Sequence, residues 1–158
     1  MQNIYLGSDH AGFEYKQKLI QLLREHEQDL GLSQIIDLGP ETLTPDDDYP
    51  EYAFRVAEQV ANAPAALGIL ICGNGQGVCL AANKVVGSRA VSAFSPLMAA
   101  STRTDDHANI LCLPARFLSW AQIQEIVTTW LKAQPNPEIR HLRRLALVKK
   151  YETNRPRL

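Results

Sequence analysis

The sequence predicts an α/β protein of three layers, in which helices cover both faces of a five-stranded parallel sheet. Short apolar segments alternate with longer segments that carry apolar residues on one helical face, and this unit recurs about five times. The segment 67–72 is apolar throughout, as expected of a strand that is buried on both faces. The chain has 158 residues, which suits a single domain spanning residues 1–158. Repeated strand–helix units of this kind build a Rossmann-like fold.

Three strands are predicted in the first half of the chain, at residues 3–8, 35–38 and 67–72. A helix follows the first strand. A second helix begins near Pro50, because the first turn of a helix accepts proline. The third strand leads through a glycine-rich turn into a helix at residues 78–84.

The second half of the chain is predicted to add strands at residues 88–93 and 109–113. Between them, Ser95 stands before a proline, which is typical of a helix start. Ser119, with a glutamine three residues later, predicts a capping box at the start of the next helix. A last, basic helix is predicted at about residues 137–151.

The charge balance argues against general binding to nucleic acid or to acidic membranes. The chain has 16 Lys and Arg against 17 Asp and Glu, a net charge of -1. The charges are unevenly distributed, however. Residues 139–158 carry 7 basic and 1 acidic side chains, a net of +6, whereas residues 1–138 carry 9 and 16, a net of -7. The basic C-terminal segment therefore requires an explanation.

Membrane insertion and secretion are not predicted. No apolar run approaches the roughly 20 residues that span a bilayer. The first residues lack the basic region and long apolar stretch of a secretion signal. The three cysteines form no Cys-x-x-Cys pair. We therefore expect a reduced, cytoplasmic protein.

The segment Cys-Gly-Asn-Gly-Gln-Gly at residues 72–77 follows the most apolar strand. Ligands of open α/β sheets bind at the carboxyl ends of strands, and alternating glycines let backbone N–H groups surround a phosphate or an oxyanion. Val78 departs from the G-x-G-x-x-G pattern and no Gly-Lys-Ser/Thr follows, which argues against a nucleotide site. The alternative is a glycine turn without a ligand.

Cys72 stands at the start of this turn. A thiol beside backbone donors at a helix N-terminus carries a larger fraction of thiolate. The alternative is a small buried apolar side chain, the usual role of a free cysteine and the one predicted for Cys79 and Cys112.

Two further groups of polar residues are candidates for the same site. Asp9 and His10 follow the first strand and are predicted to face the same crevice as the glycine turn, although Asp9 also suits a helix N-cap. Arg140 and Arg144 share one helix face, where guanidinium groups suit a phosphate, although a solvated basic helix is the alternative. Three consecutive aspartates at residues 46–48 are expected to be solvated, and no metal site is predicted.

Taken together, these residues resemble the ribose-5-phosphate isomerase B family, which also includes the galactose-6-phosphate isomerase subunits. The resemblance covers nearly the whole chain in order and spacing. It depends on these segments: Gly7-Ser-Asp-His-Ala-Gly-Phe13, Asp48-Tyr49-Pro50, Ile71-Cys-Gly-Asn-Gly-Gln-Gly77, Ala81-Ala-Asn-Lys84, Arg89-Ala-Val91, Ala108-Asn-Ile-Leu111 and Arg116.

The resemblance implies an enzyme that interconverts aldose and ketose phosphates without cofactor or metal. Cys72 would be the base that moves a proton between C1 and C2 through a cis-enediolate. The implied sugar- and phosphate-binding residues are Ser8, Asp9, His10, Tyr49, Gly73, Asn74, Gly75, Gln76, Gly77, Asp106, Arg116, Arg140 and Arg144. Some members use a glutamate after the glycine turn, where this chain has Val78. The family forms homodimers or homotetramers whose sites combine two subunits.

The chain departs from the family at two places. Asn74 replaces the usual Thr or Ser, and its amide still has a donor. Asp105 and Asp106 replace a His-Asn pair whose histidine opens the sugar ring. An aspartate is ionised at neutral pH and cannot donate the proton that histidine donates.

Several outcomes of this replacement stay open. In the first, mutual repulsion between the two adjacent carboxylates raises the pKa of one of them, which then keeps a proton to donate. Alternatively, Asp105 accepts the anomeric proton while His10 or His107 protonates the ring oxygen, or the enzyme takes the open-chain sugar. The last outcome is that ring opening is lost.

The predicted function is therefore isomerisation of ribose 5-phosphate to ribulose 5-phosphate, with Cys72 and Asp105 as catalytic residues. One alternative is a six-carbon substrate such as allose or galactose 6-phosphate. The other is a non-catalytic protein that binds sugar phosphates.

Overall fold

A computed structural model describes residues 1–154, so the last residues of the predicted domain, 155–158, lie outside the described residues. The strands are β1 (Gln2–Ser8), β2 (Leu32–Asp37), β3 (Leu67–Cys72), β4 (Ala90–Ser92) and β5 (Ile110–Pro114). The helices are α1 (Phe13–Glu25), α2 (Tyr49–Asn62), α3 (Gln76–Ala82), α4 (Pro96–Asp105), α5 (Trp120–Lys132) and α6 (Ile139–Thr153). A short 3-10 turn, His10–Gly12, joins β1 to α1.

The five strands form one sheet in the order β2-β1-β3-β5-β4, and every neighbouring pair is parallel. This confirms the predicted α/β fold with a five-stranded parallel sheet. The helix starts are confirmed in detail. Ser95 accepts a hydrogen bond from the Met98 amide, and Ser119 and Gln122 form the predicted capping box.

Some boundaries differ from the predictions for local reasons. β2 begins at Leu32, three residues earlier than predicted, because Leu32 and Gln34 still pair with β1, across an irregularity of register at Ser33. α3 begins at Gln76 rather than at residue 78, directly after Gly75, and its polar first residue does not show in an apolar pattern.

The sheet is covered on both faces by separate apolar clusters. On one face, side chains of β1, β3 and β5 pack against α1, α4 and α5, with Trp130 fully buried. On the other face, β3 and β5 pack against α2 and α3. Each strand residue of β3 is buried, which explains the apolar sequence of that strand.

The strand order places a crevice at one point of the sheet. After β1 the chain moves outward to β2, then returns past β1 to β3 and continues in the opposite direction. Such a reversal leaves a crevice at the carboxyl ends of the two adjacent strands, where ligands of these sheets bind. Here those strands are β1 and β3, with Ser8 opposite Ile71. Asp9 and Cys72 therefore come next to the same crevice.

Within residues 1–154, no helix is both long enough and apolar enough to cross a bilayer.

Candidate active site

A cavity of about 240 Å³ occupies this crevice. Its lining comes from the segments that follow β1, β3 and β5 and from the first residue of α2. The residues are Asp9, His10, Ala11, Tyr49, Cys72, Gly73, Asn74, Gly77 and Arg116. Eight of these nine were predicted site residues, and Ala11 is the addition. Separate parts of the sequence thus converge on one small polar cavity.

Cys72 is the last residue of β3, and only 3% of it is exposed. The Gly75 amide donates to its Sγ atom over 3.2 Å, and the thiol lies 3.7 Å from the Asn74 Oδ1 atom. The thiolate is the form of a cysteine that accepts a proton from carbon. The sulfur therefore combines access to the cavity with a backbone donor.

The glycine turn is held in place by bonds on both sides. The Ser92 hydroxyl donates to the Gly75 carbonyl over 2.7 Å, and the amides of Ala115 and Arg116 donate to the carbonyls of Cys72 and Gly73. Gly75 has a φ of 70°, and a β-carbon there would lie 2.9 Å from the Pro114 nitrogen. Only glycine meets both conditions without strain.

We expect Gly75→Ala to lower the free energy of unfolding by about 2–4 kcal/mol. The substitution places a β-carbon against the backbone of β5, and it also forces alanine into the left-handed conformation. Gly31→Ala is the matched control, since Gly31 has a similar φ of 66° but an added β-carbon would meet nothing within 4 Å. The control is expected to lose only about 1 kcal/mol in urea unfolding. Equal losses in the two variants would show that the approach of Gly75 to β5 is unimportant.

The structure divides the amides of the turn between two roles. The Gly75 amide points at the Cys72 sulfur, and the Gln76 amide donates to the Asn74 Oδ1 atom over 3.0 Å. Gly75 and Gln76 do not line the cavity, whereas Gly73, Asn74 and Gly77 do. The sequence prediction treated the whole turn as donors to the ligand. Two of its amides are already bonded within the turn.

Two glycines of the turn allow side chains to approach the cavity. A β-carbon on Gly77 would lie 2.7 Å from the Tyr49 ring, so Tyr49 packs directly on the backbone there. A β-carbon on Gly73 would lie 3.0 Å from the Arg116 guanidinium carbon. Arg116 thus places a cation beside the turn that carries Cys72.

Asp9 lies at the opposite wall and is 7% exposed. Its Oδ1 atom accepts a hydrogen bond from the Gly12 amide over 3.1 Å, so the predicted N-cap role is also present. Burial raises the pKa of Asp9 above its usual value, although the Gly12 bond acts in the opposite direction. A buried carboxyl with one free oxygen suits the hydroxyl groups of a sugar.

His10 is held by an aspartate that the sequence analysis expected to be solvated. The Asp47 Oδ1 atom lies 2.8 Å from the His10 amide nitrogen and 2.9 Å from its Nδ1 atom. The Asp47 side chain is only 6% exposed, so the expectation of a solvated aspartate run is wrong for this residue. Nothing in three consecutive aspartates distinguishes the middle one, because the contact spans 37 positions in the sequence.

Three of the remaining predicted site residues, Asp105, Asp106 and Arg144, lie at a second cavity, of about 270 Å³, between α4 and α6. Asp105, Asp106, His141 and Arg144 line it, and none of them lines the cavity at Cys72. Arg140 is bonded to Glu138 over 2.8 Å and donates to the His141 ring over 3.2 Å. One chain therefore does not bring these residues to Cys72.

Two further predictions require correction on structural grounds. Ser8 is fully buried in β1, and among the described residues its hydroxyl has no hydrogen-bond partner, so it does not line the cavity. His107 was an alternative proton donor for ring opening. The His107 Nε2 atom lies 2.8 Å from the Asn136 carbonyl, which only accepts, so the Nε2–H of His107 donates there. His107 lines a third cavity and not the one at Cys72.

Comparison with known proteins places this site in context. The profile of the Ribose/Galactose Isomerase family matches residues 4–148. The chain is 44% identical over 149 residues to the probable ribose-5-phosphate isomerase B of Mycoplasma pneumoniae, covering 94% of each chain. It is 37% identical to the ribose-5-phosphate isomerase B of Mycobacterium tuberculosis, covering 94% of this chain and 89% of the relative.

Solved structures agree with the sequence matches. The ribose-5-phosphate isomerase B of Mycoplasma genitalium, solved with bound ribulose 5-phosphate, is 41% identical with a TM-score of 0.91 and 98% coverage of each chain. The type B ribose 5-phosphate isomerase of Trypanosoma brucei is 36% identical with a TM-score of 0.88, covering 96% of this chain and 99% of that chain.

The sheet order and the polar crevice with its thiol define an α/β protein with a small-molecule site at the switch point of the sheet. The family match and the relatives make the assignment specific. The chain belongs to the ribose/galactose isomerase family.

Proposed function

We propose that this protein interconverts ribose 5-phosphate and ribulose 5-phosphate. The observation that carries the proposal is the Cys72 sulfur at the wall of a polar cavity, with a backbone donor on the sulfur and Arg116 beside the turn. The named relatives support the same substrate, and one of them is solved with bound ribulose 5-phosphate.

In the proposed reaction, the Cys72 thiolate takes the proton from C2 of the open-chain aldose. The electron pair moves into the C1–C2 bond and leaves a cis-enediolate, whose oxygens take the negative charge. Backbone donors that line the cavity stabilise that charge, which is usually the largest electrostatic contribution to such a step. A proton then moves from O2 to O1 of the enediolate, the Cys72 thiol returns the proton that it holds to C1, and the ketose forms with its carbonyl group at C2. Asp9 holds sugar hydroxyls, and Arg116 binds the phosphate.

We further propose that the site is completed by a second copy of the chain. Asp105, Asp106, Arg140 and Arg144 would then reach the substrate from the partner's α4 and α6. Large apolar side chains are exposed around these helices, including Leu97 at 82%, Leu147 at 62% and Val148 at 58%. Exposed apolar area of this kind marks a protein interface. A homodimer, alone or paired into a tetramer, would cover it.

Ring opening under this proposal uses Asp105 of the partner to accept the anomeric proton. The donor to the ring oxygen is the Nε2–H of His10 in its imidazolium form, in which both ring nitrogens carry protons. The alternative is that the protein takes the open-chain sugar from solution. With His107 occupied at Asn136, these two routes are the ones that the described residues support.

Turnover of the wild-type protein tests the proposal. Ribose 5-phosphate is expected to give ribulose 5-phosphate, and allose and galactose 6-phosphates serve as competing six-carbon substrates. Faster turnover of a six-carbon sugar phosphate would make that sugar, and not ribose 5-phosphate, the preferred substrate. Binding of ribose 5-phosphate by calorimetry without any turnover would instead show a sugar-phosphate-binding protein, the reading that Asp105 in place of histidine favours.

We also place the protein in the reducing cytoplasm. Its three cysteines are free thiols, and the proposed base is active only when it is not in a disulfide.

A further inference from the structure

Asp47 makes an unusual pair of contacts with one neighbour. A single carboxylate oxygen, Oδ1, accepts from the His10 amide over 2.8 Å and lies 2.9 Å from the His10 Nδ1 atom. Both distances are in the range of strong hydrogen bonds to a charged acceptor. The loop before α2 is thereby fastened to the turn after β1.

The chemistry of the two groups fixes the direction of the side-chain bond. Burial alone would raise the pKa of Asp47. The hydrogen bonds from the His10 amide and imidazole, with a further one from the Tyr52 hydroxyl, outweigh burial and hold this pKa below the usual 3.8. Asp47 is therefore ionised at neutral pH and can only accept. Because the acceptor is a carboxylate, the His10 Nδ1 atom carries the proton and donates it.

This leaves the other ring nitrogen of His10 available. Asp47 is 6% exposed, whereas His10 is 35% exposed and lines the cavity that contains Cys72 and Arg116. A carboxylate behind an imidazole orients the ring, as in other carboxylate–histidine pairs. Asp47 itself does not line the cavity.

We infer that Asp47 is a positioning residue. It accepts a hydrogen bond from the Nδ1–H of His10 and so holds the imidazole with Nε2 facing the bound sugar phosphate. The inference rests on the proposed function for the identity of the substrate. The arrangement of His10 itself is a property of the free protein and is measurable without turnover.

The first test measures kcat/KM for ribose 5-phosphate in Asp47→Asn. The amide keeps the size of the side chain but removes the charge, and we expect about a 10- to 100-fold loss from misplacement of His10. Asp46→Asn is the matched control, because it removes the same charge from an exposed neighbour, and it is expected to leave kcat/KM unchanged. Equal losses in both variants would overturn the inference.

The second test asks whether Asp47 acts through His10. If it does, Asp47→Asn has no further effect on kcat/KM in a His10→Asn background. Full additivity of the two losses would assign Asp47 a separate structural role and overturn the inference. Thermal unfolding of each variant shows whether the protein is folded at the assay temperature.

Nitrogen-15 NMR of the free wild-type protein gives an answer that is independent of activity and of variant folding. The His10 ring is expected as the Nδ1-protonated tautomer at neutral pH, and a spectrum of the Nε2-protonated tautomer would overturn the inference. If this tautomer is present but the wild-type protein turns over no sugar phosphate, the proposed function fails while the arrangement of His10 stands.

Discussion

Replacement of Cys72 with alanine is expected to lower kcat for ribose 5-phosphate by about 10³-fold or more, the usual range for loss of a general base. Binding of the substrate is expected to stay within a few-fold, because Arg116 and Asp9 do not depend on the sulfur. The rate and the affinity are measured separately, by turnover and by calorimetry. Val78, the residue after the glycine turn, has a hydrocarbon side chain, so no second base replaces Cys72 from that position.

Cys79→Ala is the control for this variant. A hydrogen bond from Cys112 lowers the pKa of Cys79 to about 7, although burial opposes it, so Cys79 is a second thiol that could act as a base. Cys79 is partly buried and does not line the cavity. We expect its removal to leave kcat unchanged. Wild-type kcat in Cys72→Ala, or loss of kcat in Cys79→Ala, would contradict the assignment of the base.

A mixture of two inactive variants, Cys72→Ala and Arg144→Ala, is expected to recover about a quarter of the wild-type activity when their subunits exchange. The two residues lie at different cavities of one chain. In a mixed dimer with shared sites, one site combines an intact Cys72 with an intact Arg144, and the other site lacks both. Random pairing makes half of the dimers mixed, and each of these has one working site of two.

Native mass spectrometry of the mixture shows whether mixed dimers have formed. The control is each variant alone, which is expected to stay inactive at the same total concentration. Mixed dimers without recovered activity would show that no site combines Cys72 of one subunit with Arg144 of the other, and the proposal of a site shared between subunits would then fail.

The sheet and the cavity were predictable because their signals are local. An apolar six-residue strand such as β3 is recognisable from composition. The turn after it is recognisable from its glycines, because other residues rarely adopt the backbone conformation found there. The strand end and the turn together place Cys72. The same holds for Ser95 and Ser119, whose capping bonds are made within three residues.

Contacts between distant parts of the chain were not predictable in the same way. Asp47 reaches His10 across 37 positions, and Asn109 bonds the Arg89 amide across 20. The burial of Ser8 accompanies its pairing with Ile71 of β3, which depends on the strand order and not on its neighbours in sequence. The separation of Arg144 from Cys72 depends on where α6 packs.

The most direct measurement of the central claim is proton exchange with solvent during catalysis. In heavy water, the wild-type protein is expected to place deuterium at C2 of the recovered ribose 5-phosphate, because the proton that the sulfur removes exchanges before it returns. Cys72→Ala is expected to bind the sugar and exchange nothing above the uncatalysed rate. Deuterium at C2 at the wild-type rate in Cys72→Ala would contradict the claim that this thiolate moves the proton.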